Sequence, residues 1–95
     1  MRTLKAEMLE AFLQEKPLIV DVRSEAEYAR GSLEGAIHLP VKAIQHGEHE
    51  LPKDRPILLI CERGSMSELA GLYLEAAGYA QVYSLEGGIR ALRKT

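Results

Sequence analysis

Apolar and polar positions along this chain switch repeatedly between a helical and a strand-like pattern. Met8, Leu9, Phe12 and Leu13 recur at i, i+1, i+4, i+5 within Lys5 to Glu15, which predicts a helix with one buried face, closed by Pro17. LIVDV, from Leu18 to Val22, is short and almost wholly apolar, as in a strand covered on both faces. SEAEYA then predicts a short helix with Ser24 as N-cap and Glu27 completing a capping box. Gly31 and Gly35 punctuate the passage into a brief strand, Ala36 to Leu39, which Pro40 ends, and VKAIQHGEHEL continues as a helix interrupted by Gly47.

The second half repeats the alternation. PKDRP is a turn by composition, and ILLIC after it, Ile57 to Cys61, is the most hydrophobic run and is expected to be the central strand. From Ser65 to Ala77 the apolar residues Leu69, Leu72, Tyr73 and Ala76 follow helical spacing, with Ser65 and Glu68 placed for a capping box and Gly78 for a stop. QVYSL, Gln81 to Leu85, is a further strand. Gly87 and Gly88 form a turn, and Ile89 to Lys94 is expected to be a terminal helix. Strands separated by helices of this length imply crossover connections, hence an α/β fold with a parallel sheet flanked by helices on both faces. In such sheets sites lie beyond the carboxyl ends of the strands, where Cys61 stands.

Composition narrows the classes. Ninety-five residues suit one small domain spanning 1–95, and with four Tyr, one Phe and no Trp its core is aliphatic. Twelve basic against fourteen acidic residues leave no positive field for nucleic acid. No run approaches the roughly 18 apolar residues of a membrane span. The opening MRTLKAEMLEAF mixes charges into its apolar residues, unlike a signal peptide, and one cysteine cannot close an internal disulfide, so a cytoplasmic setting is expected.

That cysteine carries the candidate chemistry. Between Cys61 and the next helix lies ERGSM, a loop with glycine at its middle, able to curl and aim successive backbone N–H groups at the sulfur. The helix N-terminus behind it adds partial positive charge, and both effects favour thiolate over thiol. The competing reading is a small buried hydrophobe, since free cysteine is among the most buried residue types. Other candidates read as structural. Asp21, Arg23 and Glu27 are expected to satisfy one another; His46 and His49 in HGEHE have no convincing third metal ligand; His38 is expected to be packed or hydrogen-bonded and the four tyrosines to pack. Arg90, Arg93 and Lys94 either steer anions or end a solvated helix.

Four blocks in register resemble the rhodanese family of sulfurtransferases. IVDVRSEAEYARGSLEGAIHLP (Ile19 to Pro40) resembles the family's D-V-R to A-I-x-x-P stretch. Cys61-Glu62-Arg63-Gly64-Ser65-Met66-Ser67 is similar to its C-x-x-G-x-R-S loop, Ala70 to Tyr79 to its A-x-x-L helix, and Leu85-Glu86-Gly87-Gly88 to its L-x-G-G turn. The resemblance implies a five-stranded parallel sheet, its remaining strand near Arg2 to Leu4. It also implies a mechanism: Cys61 carries a sulfane sulfur as a persulfide, cradled by the backbones of Glu62, Arg63, Gly64, Ser65, Met66 and Ser67, from a donor such as thiosulfate to cyanide, a small thiol or a protein acceptor. No cofactor or metal is implied. Met66 replaces the loop arginine, Ser32 the histidine of G-H-I, and Leu92 the aromatic residue after the double glycine. Arg63 offers a substitute charge, which the adjacent Glu62 is expected to offset, weakening thiosulfate as a donor. Position 67, where the related phosphatases carry the arginine of a C-x5-R loop, is Ser67, which disfavours phosphate chemistry. A non-catalytic binding module or protein-specific sulfur relay is the alternative.

Overall fold

In the computed structural model, which describes residues 1–93, the strands are β1 (Arg2–Leu4), β2 (Leu18–Asp21), β3 (Ile37–His38), β4 (Ile57–Ile60) and β5 (Val82–Leu85). The helices are α1 (Leu9–Leu13), α2 (Glu25–Ala29), α3 (Val41–Gln45), α4 (Ser65–Ala76) and α5 (Gly88–Leu92). All strand pairs are parallel, in the order β1-β5-β4-β2-β3. The ILLI run is therefore the middle strand, flanked by β2 and β5, and all four of its residues are buried. β1, the strand that only the family resemblance supplied, pairs with β5 at an edge.

Because side chains alternate along a strand, β4 feeds two cores. Ile57, Leu59 and Cys61 join Ile44, Ala70 and Leu74 on the α3 and α4 face, whereas Leu58 and Ile60 join Leu9, Phe12 and Ile89 on the α1 and α5 face. The sheet is thus covered on both sides, which explains the strands' nearly continuous apolar composition.

Several boundaries and faces differ from expectation. The first helix divides into a 3-10 turn, Ala6–Met8, and α1, so Leu9 and Phe12 are buried while Met8 and Leu13 are exposed. The tighter first turn rotates Met8 out of the stripe. Helix α3 ends at Gln45, just before the glycine that interrupts it, and Gly47 turns the chain with φ +69°. Helix α4 occupies nearly its expected span, but its buried side is Ser67, Ala70, Gly71 and Leu74. Leu69 and Leu72 face solvent, 45% and 56% exposed, and of the four apolar residues chosen from sequence only Tyr73 packs against the core. Ser67 and Ala70 let the helix lie close to the sheet, and Gly71 leaves room for the Met1 side chain. Helix α5 begins at Gly88; Lys94, assigned to it from sequence, lies outside the described residues. The Ser24–Glu27 capping box forms as expected, with Glu27 N–H donating to Ser24 Oγ at 3.2 Å and Ser24 N–H to Glu27 Oε1 at 3.3 Å.

Candidate active site

Cys61 immediately follows β4, and the chain then doubles back at Gly64, whose φ of +104° is open to glycine at little cost. A Cβ here would stand 3.2 Å from the backbone nitrogen of Gly87, so the double-glycine turn packs directly under the loop. Gly64 also replaces Ser65 as the N-cap of α4, and its carbonyl accepts from Glu68 N–H at 3.1 Å. The expected Ser65–Glu68 capping box does not form, because closing the loop around the sulfur moves the cap to a residue without a side chain.

Two backbone N–H groups converge on Cys61 Sγ, that of Gly64 at 3.0 Å and that of Ser67 at 3.3 Å. The thiol itself donates to Ser67 Oγ at 3.5 Å. The carbonyls of Cys61 and Glu62 turn the other way and accept from Ile89 N–H (2.8 Å) and Arg90 N–H (3.0 Å) on α5. Ser65 and Met66 open α4, where first-turn N–H groups have no partner within the helix. The thiol is only 1% exposed, at the floor of a cleft of about 340 Å3 whose wall includes Glu27, Arg63, Ser65 and the 41%-exposed Met66. Cys61 is thus packed in the core, with its sulfur met by two oriented backbone donors.

The charges around the loop are arranged differently from expectation. Glu62 makes no ion pair with Arg63; its carboxylate is held between Arg23 Nη1 at 3.3 Å and Arg93 Nη1 at 2.8 Å. Arg63 is exposed and makes no ion pair among the described residues. Arg23 is buried against Asp21, its Nε and Nη2 donating to the carboxylate at 2.8 to 3.1 Å, and Ser32 Oγ donates to the same carboxylate at 2.7 Å. Burial alone would raise the Asp21 carboxyl. The side-chain and backbone donors of Arg23, with the Ser32 hydroxyl, outweigh that effect and hold it below its ordinary value. Arg23 is raised in turn, chiefly by its hydrogen bonds to Asp21. Glu27 makes its hydrogen bonds in the capping box at the cleft wall, and its charge only adds to the field on Arg23.

The remaining candidates sit in structural roles. His38 Nε2 lies 2.7 Å from the Arg23 carbonyl oxygen, and its ring stacks on Tyr28. His49 Nδ1 accepts from Leu51 N–H, while His46 lies in an exposed turn 3.8 Å from Glu48. Tyr79 donates to the Leu51 carbonyl at 2.6 Å, and Tyr83 packs on Phe12. One residue beside the loop escaped the sequence reading. Ser84 on β5 is fully buried, with its Oγ 2.6 Å from Ser67 Oγ. The signal for it was a hydroxyl in strand register with Val82, on a face otherwise apolar.

The fold and the loop define an α/β protein with a cysteine at the carboxyl end of its central parallel strand, and comparison with known proteins places it further. The family model for the rhodanese-like domain matches residues 5–95. A protein named sulfurtransferase from Allochromatium vinosum is 42% identical over 77 residues, covering 81% of this chain and 72% of the relative. The thiosulfate sulfurtransferase GlpE of Pseudomonas entomophila is 32% identical over 94 residues, covering 99% and 86%. Among solved structures, a rhodanese homolog from Thermus thermophilus superposes with a TM-score of 0.82 at 48% identity, covering 93% of this chain and 96% of that one.

The chain belongs to the rhodanese-like domain family. Its relatives' names support sulfur transfer as its general chemistry, and with it a sulfur donor and a sulfur acceptor as reactants. No helix among the described residues is long and apolar enough to cross a membrane.

Proposed function

We propose that the protein is a sulfurtransferase in which Cys61 carries a sulfane sulfur as a persulfide. One observation carries the reading: Gly64 and Ser67 N–H groups both point at Sγ, an arrangement that a merely space-filling cysteine does not need. Donors fixed in place around a sulfur stabilise its anionic form without reorganising during reaction. The Cys61 thiolate attacks the outer sulfur of thiosulfate; the S–S bond of the donor breaks, sulfite departs with the electron pair, and Cys61 is left as Cys–S–S⁻. Cyanide or a thiolate then takes the outer sulfur, and the Cys61 thiolate returns. The first-turn N–H groups of Ser65 and Met66, with Glu62 and Arg63 beside them, bound the space a second sulfur would enter. With Glu62 neutralised by two arginines, Arg63 is the cation left to meet an anionic donor. A reducing compartment, as in cytoplasm, would keep the thiol available.

Cys61 is almost wholly buried at the floor of the cleft, so a donor must reach it past the residues that line that cleft. Intact mass after incubation with thiosulfate tests the reading. The expected result is a gain of one sulfur atom that cyanide removes and that Cys61→Ala abolishes; no gain, or an equal gain in Cys61→Ala, refutes it. The same burial, together with Met66 in place of a loop arginine, favours a second reading, a relay serving one partner protein. A persulfide that survives cyanide and small thiols yet passes to a single protein thiol would select it.

A further inference from the structure

The geometry points to Ser84 as a positioning residue that sets the direction of the Ser67 hydroxyl, so that Ser67 accepts from the Cys61 thiol and turns to donate to the Cys61 thiolate. This rests on Cys61 being the working sulfur. The assignment follows from counting protons. Ser67 Oγ has three neighbours: the Gly64 carbonyl oxygen at 2.9 Å, Ser84 Oγ at 2.6 Å and Cys61 Sγ at 3.5 Å. A hydroxyl has one proton and two lone pairs. With the Ser67 proton on the Gly64 carbonyl and the thiol donating to one lone pair, the other lone pair accepts from Ser84. Ser84 is 1% exposed and its hydroxyl has no other hydrogen-bond partner among the described residues, so this is also the only bond that proton has.

Ionising Cys61 removes the S–H and leaves a lone pair of Ser67 facing a negative sulfur. Ser84 still occupies the far lone pair, which leaves the Ser67 proton two acceptors, the Gly64 carbonyl and the sulfur. Turning it to the sulfur does not orphan the carbonyl, because Gly64 O keeps the N–H of Glu68 at 3.1 Å. The rotation therefore exchanges one bond for another inside a sealed site, and the Ser84 to Ser67 to sulfur chain polarises in one direction. Strand β5 thus reaches the reacting atom through one intermediate hydroxyl, from the face of the sheet on which Cys61 lies.

Titration of the thiolate by its ultraviolet absorbance tests this, since Cys61 is the only cysteine. Subtracting the same titration of Cys61→Ala removes the contribution of the four tyrosines, so the remaining step reports the sulfur. Ser67→Ala is expected to raise the midpoint by about one pH unit and Ser84→Ala by about half a unit. In the Ser67→Ala background, Ser84→Ala should add nothing, because Ser84 acts only through Ser67. An unmoved midpoint in Ser84→Ala, or an equal rise in both backgrounds, overturns the proposal. Should Ser84→Ala fold poorly, the near-isosteric pair Ser84→Thr and Ser84→Val decides: Thr is expected to retain the native midpoint and Val to raise it, and equal midpoints overturn the assignment. Sulfur loading of the native protein, read by mass in the same preparations, reports separately on the persulfide reading.

Discussion

Replacing Gly88 with alanine should injure both the fold and the site, and Gly47→Ala provides a matched control. The two glycines share a left-handed backbone, φ +66° and +69°. An L-residue there costs about 1–2 kcal/mol, part of which is returned by stiffening the unfolded chain. At Gly47 nothing lies within 4 Å of the added Cβ, so that conformational cost is the whole effect. At Gly88 the Cβ would stand 2.4 Å from the Glu62 carbonyl oxygen and 2.6 Å from that of Cys61. These are main-chain atoms held by Ile89 and Arg90 N–H groups, so relief means moving the loop and straining or breaking two hydrogen bonds worth about 1 kcal/mol each. Overpacking estimates of about 1–3 kcal/mol agree. Gly88→Ala should therefore be less stable than Gly47→Ala by about 2–3 kcal/mol, a fall in urea midpoint of about 2–3 M at a slope near 1 kcal/mol/M. Thiol alkylation rate should change in Gly88→Ala and remain native in Gly47→Ala. Equal midpoints for the two variants, within about 0.5 kcal/mol, would refute the account of the loop as braced by α5.

Two further outcomes follow from the charges. Asp21→Asn leaves Arg23 buried without its ionised partner and should cost about 3–5 kcal/mol by urea denaturation. Because the Asp21 carboxyl is lowered in the folded state, its contribution is fully present above the unfolded value near 3.9 and disappears as pH falls through the folded value. Acid unfolding of the native protein should steepen below about pH 4, and Asp21→Asn should flatten that limb of the stability curve; an unchanged acid limb would disprove the linkage. Met66→Arg places a guanidinium at the cleft wall and should lower the thiosulfate KM about threefold to tenfold, an exposed site delivering less than a buried one. Initial-rate kinetics with cyanide as acceptor would measure this, and an unchanged KM would mean that anion capture does not limit donor use.

The strands were legible because a parallel sheet covered on both faces writes itself as short apolar runs, as in LIV and ILLI. β1 lacked that signature: RTL is a three-residue edge with two exposed positions, and only family likeness located it. Helix α4 was found and its face misassigned, because the side against the sheet is Ser, Ala, Gly and Leu while bulkier Leu69 and Leu72 look outward. Hydrophobic spacing weighs side chains by size and is blind to close approach. The cysteine loop could be read from one glycine at one spacing, since a curled loop needs a left-handed residue. Which amides reach Sγ, and that Glu62 is claimed by arginines from two distant segments, could not, because both depend on contacts between residues 31 and 39 positions apart or on the loop's final curvature.

The two bonds from Ile89 and Arg90 to the loop carbonyls give the molecule two thermal limits. Helix α5 is five residues long and is anchored by few groups, Ile89 in the core, those two N–H groups and Arg93, so it can fray while β4 and its neighbours stay paired. On warming, catalytic competence would then be extinguished at a lower temperature than the one at which the sheet melts, and hydrogen exchange at those two amides would time the loss.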